Sequence, residues 1–194
     1  LLGLAVSAKL TAVLLAPLFL VYLSRRVGVA RALGATALAL VIAVAGFWPF
    51  ASPMLVPHLR ESLALFSSTF SFNAPIYYGL RAAMGYAQGL TPGVDPVLMP
   101  ALGAATLACL AIATLAQDGT RERLVGGIAF ALLGVALLSR VVHPWYVVPV
   151  LAFGVAARSP SILLASLLVP LSYLRYDPIG HEEPWVIAAQ FVPV

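Results

Sequence analysis

Charged side chains are scarce in this chain, and their scarcity excludes a soluble domain. Lys, Arg, Asp and Glu make up 9% of the 194 residues, whereas hydrophobic residues make up 62%. About a quarter of the residues of an average soluble protein are charged, so a soluble domain of this composition would have too few polar groups for its surface. The formal charge of +4 comes from scattered cations without a basic run, which argues against nucleic acid as a partner. We therefore predict an all-α, polytopic bundle of transmembrane helices.

Cysteine pairs and the motifs of soluble enzymes are also missing. Cys109 is the single cysteine, so an intrachain disulfide is excluded. The chain has no glycine-rich phosphate loop, no His-Glu-x-x-His motif and no nucleophile elbow, and no cofactor is evident. It has no internal repeat and no inverted pair of broken helices, which counts against common secondary transporters. The chain opens at Leu1 within an apolar helix, and we predict that residues 1–194 are a single transmembrane domain within a longer protein.

Long apolar segments predict about six membrane spans. About 20 apolar residues cross the hydrocarbon core of a bilayer. The predicted spans are residues 1–23, 32–50, 97–117, 124–139, 145–157 and 161–174. Residues 51–96 form the longest stretch between spans, and apolar periodicity within it predicts short amphipathic helices, one over residues 58–67 and another ending near Met84.

The distribution of arginines predicts which loops face the cytoplasm. The first short loop carries Arg25, Arg26 and Arg31 without an acidic residue. Cytoplasmic loops are enriched in Lys and Arg, so we place this loop inside, together with the turns at residues 118–123 and 158–160. Residues 51–96, 140–146 and 173–184 are then extracytoplasmic.

Residues 140–146, Arg-Val-Val-His-Pro-Trp-Tyr, place four polar or aromatic groups between two apolar segments. Trp and Tyr prefer the membrane–water interface, and a charge at that depth is costly unless it faces protein, water or an anion. We interpret Arg140, His143 and Tyr146 as the wet end of an intramembrane site. The alternative is that His143 only caps the turn and that the aromatic rings anchor the chain at the interface.

Several other cations share the predicted outer side. Arginine binds phosphate in a bidentate manner and is less strongly hydrated than lysine, so arginines among aromatic rings are typical of a site for a lipid-linked phosphate. The further arginine candidates are Arg60, Arg81 and Arg175. Lys9 lies within the first predicted span, where its ammonium group either faces an anion in an internal cavity, snorkels or pairs with a neighbouring helix.

A group of acidic and imidazole side chains near the end of the chain could hold a metal ion. It comprises Asp177, His181, Glu182 and Glu183. Their spacing matches no specific site, and a solvated acidic loop is the favoured interpretation. A requirement for a divalent metal is left open by the sequence.

Four short stretches resemble one family. Ser7-Ala-Lys9 followed by Pro17 is similar to the helix with lysine and then proline in GT-C-type polytopic glycosyltransferases of bacteria. Residues 72–78, Phe-Asn-Ala-Pro-Ile-Tyr-Tyr, and residues 142–146, Val-His-Pro-Trp-Tyr, resemble an extracytoplasmic segment and a turn of the same family. Residues 185–194 resemble its C-terminal stretch, although Gln190 stands where the family pattern has Glu.

The resemblance implies a mannosyltransferase-like enzyme of the bacterial inner membrane. Its donor would be a polyprenyl-phosphate sugar, and its acceptor a glycan or lipid on the extracytoplasmic side. On this basis Lys9, Arg140 and His143 are expected to contact the donor phosphate, and Asn73, Tyr77 and Tyr146 to line the sugar site. The family's catalytic acid lies in the first outer loop, so the resemblance places it outside this chain, which would be the donor-binding half. A transporter or flippase of an anionic lipid and a structural membrane subunit are the alternatives.

Overall fold

The computed structural model describes residues 1–65, 71–84, 97–175 and 184–191. Within these ranges the fold is all-helical, as predicted, and a single β-bridge joins Phe72 and Val141. The α-helices are α1 Leu2–Ala8, α2 Ala16–Val27, α3 Val29–Phe47, α4 Leu55–Ala64, α5 Pro75–Ala83, α6 Leu98–Leu115, α7 Arg121–Leu138, α8 Val147–Ala156, α9 Pro160–Leu168 and α10 Pro184–Phe191. Short 3-10 helices cover Leu10–Leu15, Trp48–Phe50, Pro144–Tyr146 and Val169–Arg175.

Three helical stretches are long and apolar enough to cross a membrane. They are Leu10–Val27, Val29–Phe50 and Leu98–Leu115. Large hydrophobic side chains lie exposed along them, among them Leu38, Val41 and Leu107, as expected of surfaces that face lipid rather than water. The length and composition of these helices support the prediction of a membrane protein. The predicted number of six spans goes beyond this finding, because Pro144–Ala156 and Pro160–Leu171 are shorter apolar helices.

The first predicted span is divided at Lys9. Lys9 has an extended backbone (φ −149°, ψ 112°) between α1 and the following 3-10 helix. A Cβ added at Gly3 would meet Ala39, and one added at Gly46 would meet Ser7, so α1 runs parallel to α3 while α2, joined to α3 by a one-residue turn, runs antiparallel. The chain thus turns back at Lys9. Hydropathy cannot show this break, because it comes from close packing between helices; its effect is that the ammonium group lies at the end of a span, where its desolvation costs less.

The centre of the bundle is formed by α2, α6 and α7. Leu18, Leu110 and Ile128 are buried together between these helices. A second apolar cluster joins α7 to α8 and α9, where Gly154 allows close contact with Ile162. These packed helices hold α7 in place, and α7 carries the loop of the candidate site at its C-terminal end.

Two of the charged turns lie at the same end of the bundle. Gly119, with φ +87°, lies in the turn before α7, and a Cβ there would be 3.2 Å from the Cβ of Arg25. The structure thus brings together two loops that the sequence assigns to one side of the membrane. Because α7 has 18 residues and rises 1.5 Å per residue, Arg140 lies about 27 Å from this end. Which end faces the cytoplasm stays a prediction.

Candidate functional site

The site is built on a short pairing between two distant segments. After α7 ends, the Ser139 hydroxyl donates to the Val141 carbonyl oxygen at 2.9 Å and accepts from the Val141 amide at 3.1 Å, which turns the chain. The Phe72 amide then donates to the Arg140 carbonyl oxygen, and the Val142 amide donates to the Phe72 carbonyl oxygen, at 3.1 and 2.8 Å. These bonds place the residues after Ser71 directly against the turn that carries His143.

Asn73 ties this pairing to the last helix. Its side chain is 1% exposed, and its backbone has a φ of 47°, a conformation that Asn tolerates better than most residues. Its Nδ2 donates to Gln190 Oε1 at 2.9 Å and to the Val142 carbonyl oxygen at 3.4 Å. Gln190 is fully buried, and its own Nε2 donates to the Val186 carbonyl oxygen at 3.0 Å. The two amides therefore form a buried polar link between three separate parts of the chain.

Two arginines share the ring of a buried tyrosine. Tyr77 is fully buried on α5, and the guanidinium carbon of Arg140 lies 5.0 Å from its ring centroid. The guanidinium carbon of Arg81 lies 6.0 Å from the same centroid, and its Nη1 donates to the Tyr77 hydroxyl at 3.3 Å. A cation within about 6 Å of an aromatic face is stabilised by the ring quadrupole. This helps to hold Arg140, which is only 4% exposed, at an apolar depth.

His143 lies within a group of aromatic rings. Its ring stacks on Trp145 with centroids 4.2 Å apart and an interplanar angle of 13°. The Phe72 ring is 4.8 Å away, and the Tyr146 ring meets it edge-on at 5.4 Å. Lys9 Nζ lies 4.3 Å from the Tyr146 ring centroid. We call the eight residues joined in this way the aromatic–cation cluster: Lys9, Phe72, Tyr77, Arg81, Arg140, His143, Trp145 and Tyr146.

The chemistry of this cluster suits the binding of an anion. Lys9, Arg81 and Arg140 contribute three cations, each over a tyrosine ring. Guanidinium groups offer paired donors to phosphate oxygens, and aromatic faces offer surfaces for sugar rings or lipid tails. The cluster can therefore hold and orient an anionic ligand.

Most of the predicted site residues meet in this cluster or border it. Asn73 borders it through Phe72 and Val142, and six others belong to it. Arg60 lies exposed on α4, and none of the contacts that define the cluster involves it. Arg175 ends the 3-10 helix after α9, and its side chain lies outside the part of the chain that the structure describes.

The acidic group near the end of the chain, for which a solvated loop was the favoured interpretation, lies outside the described residues. Asp177, His181, Glu182 and Glu183 all lie in residues 176–183. Among the residues that are described, no three His, Cys, Asp or Glu side chains are grouped so that they could hold a metal ion.

Three contributors were not among the predicted site residues. Phe72 and Trp145 enclose the imidazole of His143, and Gln190 holds Asn73. Gln190 could have been selected from the sequence, because a lone amide in the apolar segment 184–191 must be hydrogen-bonded when it is buried. The role of Phe72 depends on the pairing with residues 140–142, which no local pattern predicts.

Comparison with known proteins does not extend this description. No protein-family model matches the chain. Searches of the curated proteins and of the solved structures found no significant match.

The position of His143 predicts a pH-dependent stability. His143 lies in the turn before α8, outside the spanning segments, and burial lowers its pKa from the ordinary value of 6.5. Because the unfolded chain binds the proton more readily, stability should be complete above pH 6.5 and decline as the pH falls toward the pKa of the folded state. Thermal unfolding of the protein in detergent, measured between about pH 8 and pH 5, should show this decline.

A pair of variants tests the assignment. His143→Gln should flatten the slope between pH 6.5 and pH 5. His58→Gln should leave it unchanged, because His58 is exposed on α4 and outside the cluster. An unaltered slope in His143→Gln would assign the dependence to another group.

Proposed function

We propose that this chain is the donor-binding part of a membrane glycosyltransferase that uses a polyprenyl-phosphate sugar. The observation that carries the proposal is the aromatic–cation cluster, in which three cations lie on tyrosine rings at one end of an apolar helical bundle. A lipid-linked sugar phosphate needs an anion site, a surface for a sugar ring and access from the lipid. Cations and aromatic rings provide the first two, and the exposed apolar helices provide the third.

Each residue has a proposed part in donor binding. Arg140 and Lys9 contact the phosphate oxygens, and His143, neutral near pH 7 because burial lowers its pKa, donates one N–H to the same group. Tyr77 and Tyr146 hold the two cations and border the sugar, while Asn73 fixes the segment that carries Phe72. The acceptor is a glycan or lipid.

We also propose a membrane topology for the chain. The protein would cross the bacterial inner membrane about six times within these residues, with the cluster at the extracytoplasmic side and the Arg25 and Arg123 turns in the cytoplasm. The transferred sugar is a hexose, and the resemblance favours mannose.

A transfer assay on the full-length protein in proteoliposomes tests the proposal. With a radiolabelled polyprenyl-phosphate mannose and a lipid extract as the acceptor source, wild-type protein should form a labelled product. Lys9→Gln and His143→Ala should each lower kcat/KM for the donor about tenfold or more, because a hydrogen bond to a charged group contributes about 1.5–3 kcal/mol. Arg31→Gln is the matched control, since it removes one exposed cation at the other end of the bundle.

Two results would count against the proposal. Undiminished transfer in both Lys9→Gln and His143→Ala would remove the cluster from donor binding. Movement of the labelled donor across the bilayer without any transfer product would favour a transporter or flippase, which could use the same cations.

A further inference from the structure

A second site lies at the opposite end of the bundle, between α6 and α7. A cavity of about 460 Å³ opens beside the turn that joins these helices. Its volume is in the usual range for small-molecule sites. The lining combines small and apolar residues with a few polar ones: Ile112, Ala113, Gln117, Asp118, Glu122, Arg123, Gly126, Gly127 and Phe130.

The amide of Gln117 has a fixed orientation. Gln117 is 1% exposed, and its Nε2 donates to the carbonyl oxygens of Ala113 and Arg123 at 2.9 and 3.1 Å. A flipped amide would place its oxygen against both carbonyl oxygens, so the two acceptors determine which way the group points. Gln117 Oε1 is therefore turned away from them, and it accepts no hydrogen bond from any residue that the structure describes.

A buried acceptor of this kind requires a donor. Leaving a buried amide oxygen without one is costly, and nearly all such groups in native proteins are paired. The neighbouring glycines make room for the amide and for the cavity beside it. A Cβ at Gly127 would lie 2.6 Å from Gln117 Nε2, so a larger residue there would displace the amide. At Gly126, a Cβ would meet no atom within 4 Å, so space remains beside α7 where the cavity lies.

The charges around the cavity favour a cationic donor. Asp118 and Glu122 contribute two carboxylates and Arg123 one guanidinium, which together give a lining charge of −1. Hydrogen bonds from the Thr120 hydroxyl and amide lower the pKa of Asp118, which keeps its carboxylate ionised. Arg123 lies 3.8 Å from Asp118 and is largely exposed, so it can contact a phosphate outside the cavity.

The same cavity is open to the lipid side. Ile112 is 58% exposed and Phe130 is 45% exposed, and both line the cavity. Apolar side chains that flank a charged turn at the end of a span lie at the level of lipid headgroups. A phospholipid with a cationic headgroup fits this arrangement. Its cation would meet the hydrogen-bond acceptors, its phosphate the Arg123 guanidinium and its acyl chains the apolar surface.

We propose that this cavity binds a primary ammonium group, supplied by the headgroup of an aminophospholipid such as phosphatidylethanolamine. Gln117 Oε1 and the carboxylates of Asp118 and Glu122 accept its N–H bonds. A trimethylammonium headgroup carries the same charge and phosphate but has no N–H, so phosphatidylcholine should bind less well. This site is independent of the proposed glycosyltransferase function.

Lipid competition measured by native mass spectrometry tests the proposal. The full protein is taken from nanodiscs containing equal amounts of phosphatidylethanolamine and phosphatidylcholine with the same acyl chains, and the lipids that remain bound are compared. Wild-type protein should retain phosphatidylethanolamine in roughly tenfold preference, as expected for a hydrogen bond to a charged donor.

Two variants, each with a matched control, make the result specific. Gly126→Leu should abolish the preference by filling the cavity, without a clash at its Cβ. Gly103→Leu is its matched control: Gly103 is also a helical glycine with open space, but it is outside the cavity lining, so the preference should remain. Gln117→Met should also abolish the preference. Its control is Thr106→Val, which removes a comparable side-chain bond to the Leu102 carbonyl oxygen on α6 and should leave the preference unchanged.

Adding free ethanolamine distinguishes the two sources of the ammonium group. If the lipid resists displacement, the headgroup is the ligand; if ethanolamine displaces it, the site takes a soluble amine and the chemical class is upheld. Equal retention of the two lipids by wild-type protein would overturn the proposal, as would a preference that persists in Gly126→Leu.

Discussion

Replacing Gln190 by leucine should destabilise the protein by about 2–3 kcal/mol, although the new side chain has a similar size and is apolar. The substitution removes the acceptor of the 2.9 Å bond from Asn73 Nδ2, and the longer 3.4 Å contact of that group with the Val142 carbonyl oxygen is a weaker hydrogen bond. Asn73 is 1% exposed, so water cannot replace the bond. Thermal unfolding in detergent, with loss of helical circular dichroism as the readout, measures the effect.

A double-mutant cycle separates this bond from the general cost of the substitution. Asn73→Gly keeps the left-handed backbone conformation and removes the amide. If the bond is the cause, Gln190→Leu should cost much less in the Asn73→Gly background. Gln190→Glu is the conservative control, because a carboxyl group still provides an acceptor for Asn73. Full additivity of the two losses would show that the amides do not stabilise each other.

The local hydropathy pattern was sufficient to predict the long apolar helices. Residues 32–50 were predicted as a span and form Val29–Phe50, and residues 97–117 were predicted and form Leu98–Leu115. Residues 124–139 were predicted as a span, and all of them except Ser139 lie within α7, Arg121–Leu138. These segments are largely apolar and end at charged or Gly-Pro-rich stretches. The ends of the helices can therefore be located from the local sequence.

The break at Lys9 and the geometry of the site depend on contacts between distant residues. The hydropathy pattern does not mark the turn at Lys9, which is shown by the extended backbone of this residue and by the close approach of Gly3 and Ser7 to α3. The bond between Asn73 and Gln190 joins residues 117 positions apart. Candidate residues could be selected by type and by expected side of the membrane, but their pairing could not be derived from local spacing.

Two of the stretches that resemble the glycosyltransferase family belong to a single structure. Residues 72–78 and residues 142–146 are 64 or more positions apart, yet the Val142 amide donates to the Phe72 carbonyl oxygen and the rings of Phe72 and His143 lie 4.8 Å apart. A change in either segment should therefore alter the other. Arg140 has the central position, because its carbonyl oxygen accepts from Phe72 while its guanidinium lies over Tyr77.

Arg140→Lys should lower kcat/KM for a polyprenyl-phosphate sugar roughly 30- to 100-fold, even though the charge is kept. Lysine lacks the planar fork that binds two phosphate oxygens at once, and its compact ammonium group is more costly to bury than a guanidinium at 4% exposure. The measurement is the donor dependence of transfer by the full-length protein in proteoliposomes. Under the proposed function the loss should be mainly in KM, because the guanidinium would bind the donor phosphate and not the reacting atoms.

The matched control for Arg140 is Arg121→Lys, at an exposed position at the other end of α7, which should leave both constants unchanged. Thermal unfolding of both variants shows whether a lost activity reflects a lost fold. Because the 5.0 Å contact with Tyr77 places the Arg140 guanidinium, Tyr77→Leu should reproduce the KM defect while keeping the arginine. Wild-type donor kinetics in Arg140→Lys would show that the site needs only a positive charge at this position, and the bidentate phosphate contact would have to be abandoned.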